Sequence, residues 1–240
     1  MLAAAAAGLA IAELAASLAA PSFGLSSWFV PKAGTIFLAV ILVAAGRVQA
    51  YHPHPRFGPA NAATTLRLAL VALLAAAVGE AHTTTLAWAA TAVALVASAL
   101  DGLDGWLARH SALSSAFGAR FDMETDALLI LVLSVLAWRW DRAGAWVLAC
   151  GLMRYAFVAG AWAWPWLDRP LPPSWRRKFV CVVQIVGLAL VVAPVGIDLV
   201  RSGTTAPFPL APGVAAITLA MLTWSFAVDV WWLAARRSAP

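Results

Sequence analysis

Charged residues are scarce in this sequence of 240 residues. They make up 11% of the chain, whereas 63% of the residues are apolar and the mean hydropathy is +0.85. A soluble domain usually carries about 25% charged residues, so these charges are too few to cover an aqueous surface. The composition therefore excludes an ordinary cytosolic enzyme and a disordered or fibrous chain, and it predicts one polytopic membrane domain.

Cysteine and N-terminal basic residues are also nearly missing. The two cysteines, Cys150 and Cys181, lie in apolar segments at different predicted depths, which argues against a disulfide. The Ala-rich start has no basic residue before its apolar run, and Glu13 interrupts that run. Both features are unlike a signal peptide, so we expect a retained helix.

Long apolar runs bounded by proline, glycine and charge fill the rest of the sequence. They do not alternate as barrel strands do, and backbone polar groups in lipid must be satisfied within each helix. The sequence therefore predicts an all-α membrane bundle. We place its helices at about 2–20, 33–50, 60–79, 84–109, 117–140, 142–163, 177–200 and 212–235.

The basic residues are distributed unevenly between the two predicted membrane faces, and the net charge is +5. Cytoplasmic loops carry more Lys and Arg, so the richer face is predicted to be cytoplasmic, together with residues 101–126. Such an excess is typical of loop orientation and anionic headgroups, and it gives no support for nucleic-acid binding. The richer face holds Arg47, Arg56, Arg67, Arg109, Arg120, Arg169, Arg176, Arg177, Lys178, Arg236 and Arg237, and the other holds Lys32, Arg139, Arg142 and Arg201.

Acidic residues concentrate in one stretch. Asp101 and Asp104 share one helical face, and Asp122 and Asp126 share a face of the next helix. Clustered carboxylates at the end of apolar helices repel one another, and oxygen ligands at this density suit Mg²⁺ or a similar hard cation. Two such ions can clamp the oxygens of a displacement at phosphorus. The alternative is that these acids pair with Arg109 and Arg120 at the membrane interface.

The order of these residues is that of a known signature. Asp101, Asp104, Gly105, Ala108, Arg109, Gly118, Asp122 and Asp126 follow D-x2-D-G-x2-A-R-x8-G-x3-D-x3-D without a mismatch. The stretch resembles the signature of the CDP-alcohol phosphotransferases. Upstream, Asn61, Thr64 and Arg67 are similar to the family's Asn-x2-Thr-x2-Arg, and the spacing from Lys178 to Gln184 is similar to a further family pattern.

The resemblance implies a division of the chain. It covers about residues 59–235, which would form a core of six transmembrane helices. Residues 1–58 would add one or two helices, and residues 236–240 would be a cytoplasmic tail. The resemblance also implies a homodimer.

The resemblance further implies a reaction in which a substituted phosphoryl group passes from a CDP-linked donor to an alcohol, with release of CMP. Asp101, Asp104, Asp122 and Asp126 would hold two Mg²⁺ or Mn²⁺ ions, and Asp126 would also accept the proton of the alcohol. The nucleotide and diphosphate would contact Asn61, Thr64, Arg67, Gly105, Ala108, Arg109 and Gly118.

Three alternatives concern the substrates and the class of protein. The chain length and the Ala and Arg usage favour CDP-diacylglycerol as donor and a prokaryotic inner membrane, and Arg154 favours a small polar, anionic acceptor. The alternatives are a CDP-choline or CDP-ethanolamine phosphotransferase acting on diacylglycerol and, from another class, a cation transporter. Arg154, isolated in an apolar helix, is a candidate for binding the acceptor. It could act with Arg176, Arg177 and Lys178, or it could instead pair with Asp229 or the aspartates.

Overall fold

All regular secondary structure is helical in the part of the chain that the structure, a computed structural model, describes. The backbone is described for residues 1–51, 58–110, 115–194 and 210–237, without the side chains of residues 47–51 and 103–110. This part contains eight α-helices and no strand, and six apolar segments in it are long enough to cross a membrane. The helices are α1 (Leu2–Phe23), α2 (Phe29–Tyr51), α3 (Pro59–Ala76), α4 (Thr84–His110), α5 (Ala116–Arg139), α6 (Leu148–Ala163), α7 (Trp175–Val192) and α8 (Leu210–Ala235).

The all-α prediction is confirmed, and two of the predicted helix boundaries differ from the observed ones by more than four residues. The segment predicted as a helix from residue 142 begins instead with a turn, and a short 3-10 helix at Ala145–Val147 leads into α6. The helix predicted to run to residue 200 ends at Val192. Pro194 causes this end because the preceding residue, Ala193, is held in an extended conformation (φ −58°, ψ 142°).

Residues 1–132 form one compact unit. In this unit α3 packs along α4, and α1 and α2 pack against α3 and each other. Phe37 of α2, Leu68 of α3 and Phe121 of α5 meet in its hydrophobic core.

A polar cluster joins the α1–α2 hairpin of this unit to the turn after α3. The buried carboxylate of Glu80 lies 2.6 Å from Lys32 Nζ, and it accepts hydrogen bonds from the Ser26 backbone N–H (2.8 Å) and hydroxyl (2.7 Å). Burial alone would raise the pKa of Glu80, but the bonds from Lys32 and Ser26 outweigh it and leave that pKa below the ordinary value. We call these three residues the Glu80 clasp.

Residues 133–240 form the second compact unit, in which α7 packs along α8. Gly187 of α7 lies directly against Thr218 of α8, which leaves no room for a larger side chain. Arg142 closes the end of α7 by donating hydrogen bonds to the carbonyls of Val191 (3.0 Å) and Ala193 (2.8 Å). Basic side chains often satisfy the last carbonyls of a helix in this way.

Candidate active site

Three helices of the first unit bring their charged side chains together around Arg67. This arginine of α3 is fully buried, and its Nε donates to the carbonyl of Ala97 (3.1 Å). Its Nη1 lies 2.9 Å from Asp101 of α4 and 2.5 Å from Asp122 of α5, and its Nη2 pairs with Asp126 of α5. The guanidinium thus links three helices through three carboxylates.

The start of α5 is oriented by its apolar side. Phe117 and Phe121 are buried and stacked, with ring centroids 5.7 Å apart, and they pack in the hydrophobic core of the first unit. Asp122 and Asp126 have the same four-residue spacing but are displaced by five residues from Phe117 and Phe121, about 140° around the helix, so they share a different face. Packing of the phenylalanines therefore fixes the direction of the acidic face.

Among the side chains that the structure describes, the cluster carries more negative than positive charge. One guanidinium faces three carboxylates, and the carboxylates are half-buried, with side chains 29%, 37% and 15% exposed at Asp101, Asp122 and Asp126. Burying like charges is costly unless further positive charge compensates them. The site is therefore electrostatically suited to a cation.

The geometry also fits a divalent metal. One carboxylate oxygen from each of the three aspartates lies within 4.8 Å of the others. Oxygen donors at such distances suit Mg²⁺ or Mn²⁺, and partial exposure leaves access for a phosphate-bearing substrate. Arg67 is one partner of these acids. The alternative that they pair with Arg109 and Arg120 stays a prediction, and the side chain of Arg109 lies outside the described residues.

Gly118 allows the beginning of α5 to approach the beginning of α3. A Cβ atom at Gly118 would lie 2.5 Å from the side-chain oxygen of Asn61, so any larger residue would displace that side chain. Asn61 and Thr64 are both buried on α3, and the Thr64 hydroxyl donates to the carbonyl of Ala60 (3.1 Å). Asn61 and Gly118, predicted to contact the same nucleotide, are therefore neighbours.

Four predicted site residues lie outside what the structure describes at side-chain level. Their backbone belongs to the last two turns of α4. Their roles stay predictions. They are Asp104, Gly105, Ala108 and Arg109.

A second ionic cluster, in the unit of residues 133–240, has the opposite charge ratio. The buried Asp229 of α8 pairs with Arg176 and with Arg177, whose Nη1 lies 3.1 Å away. Arg176 also donates to the backbone carbonyl and hydroxyl of Ser225, both at 2.5 Å. These groups border a cleft of about 240 Å³, which Pro173 and Trp232 also line. Two guanidinium groups on one carboxylate leave a positive excess suited to an anion.

The other two predicted acceptor residues lie apart from this cluster. Lys178 Nζ lies 5.5 Å from the centre of the Trp175 ring, a cation–π distance. Arg154 is half-buried on α6. Asp229, the alternative partner predicted for Arg154, pairs with Arg176 and Arg177, and the role of Arg154 stays a prediction.

Two features of these clusters were not predicted from the sequence. Arg67 was predicted to contact the nucleotide, whereas in the structure it forms ion pairs with the aspartates. Asp229 and Ser225, four residues apart on α8, were not recognised as the partners of Arg176. The isolated acid in an apolar helix was a signal for the second feature, since such an acid requires a cationic partner.

Comparison with known proteins adds one match. A family model described as CDP-alcohol phosphatidyltransferase matches residues 57–234. No curated protein and no solved structure matches the chain.

Proposed function

We propose the substrates of this chain from its family. The chain belongs to the CDP-alcohol phosphatidyltransferase family and is therefore a membrane-integral transferase of phospholipid synthesis. The donor is CDP-diacylglycerol. The acceptor is the hydroxyl of a small, anionic alcohol, and CMP is released. The observation that carries this proposal is the convergence of Asp101, Asp122 and Asp126 on the buried Arg67, within the matched region.

The aspartates are the residues that would hold the metal. Asp101, Asp122 and Asp126, with Asp104 as the fourth member of the signature, would bind two Mg²⁺ or Mn²⁺ ions. When bound, these ions polarise the diphosphate and neutralise the charge that develops on CMP. Arg67 fixes the carboxylates from the buried side, which keeps their other oxygens directed toward the substrate.

Asp126 is the residue to which we assign the proton transfer. It is the least exposed of the three carboxylates, with its side chain 15% exposed, and its pairing with Arg67 fixes its direction. In our proposal it accepts the hydroxyl proton as the acceptor oxygen bonds to phosphorus and the bond to CMP breaks. A positioned base of this kind contributes about 10²–10⁴-fold to a rate.

The nucleotide and diphosphate would contact the neighbouring helix starts. Asn61 and Thr64 lie on the same face of α3 as Arg67, and Asn61 reaches Gly118. Gly105, Ala108 and Arg109 complete this set by resemblance to the signature. We propose that Arg67 acts on the diphosphate mainly through the aspartates, because its guanidinium already contacts them.

The acceptor anion would be bound by basic residues. Arg176 and Arg177, held by Asp229 at the cleft, have the positive excess that such a group requires. Arg154 and Lys178 are further candidates. By the distribution of Lys and Arg, the active site faces the cytoplasm of a prokaryotic inner membrane.

The test is product identification with the purified full-length protein. It is incubated with Mg²⁺ and CDP-diacylglycerol, together with glycerol phosphate, serine, inositol phosphate or uncharged glycerol, and CMP and the lipid product are measured. We expect CMP and a new phospholipid only with an anionic acceptor. Turnover of CDP-choline with diacylglycerol instead would contradict the donor assignment, and tight cation retention without CMP release from any donor would favour the transporter.

A further inference from the structure

One side of α7 turns away from the rest of the second unit. Trp175, Lys178, Phe179 and Val182 follow the i, i+3, i+4, i+7 spacing that places residues on one helical face. All four are exposed, and the exposed fractions of Trp175, Phe179 and Val182 are 87%, 63% and 44%. We call these four residues the α7 stripe. Along the helix, the stripe begins with an aromatic and a basic residue and continues with apolar ones.

The basic run at the start of α7 is divided between two faces of the helix. Arg176 and Arg177 turn toward α8, where both pair with Asp229. Lys178 is exposed on the stripe, and among the side chains that the structure describes no carboxylate forms an ion pair with its ammonium group. The two guanidinium groups are therefore held inward, whereas the charge of Lys178 is available to an external anion.

The charged end of the stripe lies at the level expected for lipid headgroups. Asp229, which pairs with the start of α7, lies in the last two turns of α8, a helix long and apolar enough to span the membrane. Nζ of Lys178 lies 5.5 Å from the centre of the Trp175 ring, a cation–π distance. Tryptophan is enriched at the membrane interface, and lysine near a helix end extends its charge to that level. The apolar end of the stripe, Phe179 and Val182, then lies toward the acyl chains.

We propose that the α7 stripe binds an anionic phospholipid, with the headgroup at Lys178 and Trp175 and an acyl chain along Phe179 and Val182. The negative headgroup complements the exposed cation, and the chain complements the apolar residues, so the stripe fits a molecule that carries both. A free phosphate or a polar acceptor would make only the first contact. The inference does not depend on the proposed substrates. It assigns Lys178 to a lipid and leaves the two arginines that face α8 for the acceptor.

The test is photo-cross-linking of lipids to the purified full-length protein in vesicles of phosphatidylcholine. A trace of phosphatidylglycerol or of phosphatidylcholine carries a diazirine in one acyl chain, and mass spectrometry of tryptic peptides locates the cross-links. We expect the phosphatidylglycerol probe to label the peptide that contains Phe179 about fivefold more than the phosphatidylcholine probe, the effect of one cation near an anionic headgroup. Inorganic phosphate should leave this labelling as it is in chloride of the same ionic strength.

Substitutions at Lys178 separate charge from simple proximity to lipid. Lys178→Gln should lower labelling by phosphatidylglycerol to the level of the phosphatidylcholine probe, and Lys178→Arg should retain it. Arg139→Gln is the matched control, because Arg139 is an exposed cation at the end of α5, outside the stripe. An unchanged melting temperature in detergent verifies that each variant is folded. Equal labelling by the two probes, labelling insensitive to Lys178→Gln, an equal loss in Arg139→Gln, or displacement by phosphate but not by chloride would each overturn the proposal.

Discussion

The two ionic clusters of this protein use the same chemical groups in opposite proportions. In the first unit one guanidinium, that of Arg67, faces three carboxylates. In the second unit one carboxylate, that of Asp229, faces two guanidinium groups. Among the side chains that the structure describes, neither cluster has equal numbers of positive and negative groups, and such a cluster is stabilised by an added ion of the missing sign.

In the proposed function the two clusters would bind different groups. A transferase that acts on a CDP-linked donor requires a cation for the diphosphate and, with an anionic acceptor, a positive site for that group. The Arg67 cluster fits the first requirement and the Asp229 cluster fits the second. The Glu80 clasp, with one cation and one anion, provides a balanced reference that requires neither ligand.

The largest expected effect is a loss of activity when the Arg67 cluster is changed. Asp126→Asn removes the proton acceptor and one negative charge, and we expect CMP release from CDP-diacylglycerol to fall at least about 10²-fold. Glu124→Gln is the matched control, because Glu124 is an exposed acid on the same helix. Steady-state assays at saturating Mg²⁺ measure both. Parent-like turnover by Asp126→Asn would show that the role assigned to this residue is wrong.

The next effect concerns stability at the same cluster. Arg67→Met leaves three carboxylates without their shared cation, and breaking a buried ion pair costs about 3–5 kcal/mol. We expect a lower melting temperature in detergent, and partial recovery with Mn²⁺, which supplies positive charge to the same oxygens. A loss of stability that Mn²⁺ does not reduce would separate Arg67 from the metal site.

A substitution in the Asp229 cluster should affect substrate binding instead. Arg176→Gln removes the guanidinium that contacts both Asp229 and Ser225. We expect the KM for the anionic acceptor to rise about tenfold, equivalent to about 1.4 kcal/mol, with an unchanged dependence on Mg²⁺. The same rise with an uncharged acceptor, or a shift in the Mg²⁺ dependence, would contradict the division between the two clusters.

The smallest effect is expected at the balanced Glu80 clasp. Because the pKa of Glu80 is below its ordinary 4.5 in the folded protein, the clasp stabilises the fold above about that pH. The stabilisation is lost as the pH falls through the folded pKa. Lys32→Met should therefore cost about 1 kcal/mol at pH 7 and less near pH 4, with no response to Mn²⁺. Unfolding measured at both pH values checks this, and an equal loss at both would refute the ionic interpretation.

Much of the fold and the acidic half of the site could be predicted from the sequence because both depend on local spacing. Apolar runs predict helices, and four-residue spacing places Asp122 and Asp126 on one face. The end of α7 could have been predicted too, since Pro194 restricts the residue before it. The predicted helix at residues 177–200 followed instead the length and hydropathy of the whole apolar run.

The ion pairs of the two clusters could not be predicted, because they depend on contacts between helices. No spacing rule relates Arg67 of α3 to Asp101 of α4, or Arg176 of α7 to Asp229 of α8. Helix packing sets these pairs, and packing depends on contacts such as those of Gly118 with Asn61 and Gly187 with Thr218. A sequence shows which charges are costly in lipid, but their partners become visible only in the folded structure.

Direct binding of Mn²⁺ tests the central claim that the Arg67 cluster is a metal site. Titration of the purified full-length protein in detergent, followed by electron paramagnetic resonance, counts the bound ions without any substrate. We expect saturable binding by the parent protein, unchanged binding by Glu124→Gln, and loss of binding by the double variant Asp122→Asn, Asp126→Asn. Equal Mn²⁺ binding by the parent and the double variant would contradict the account.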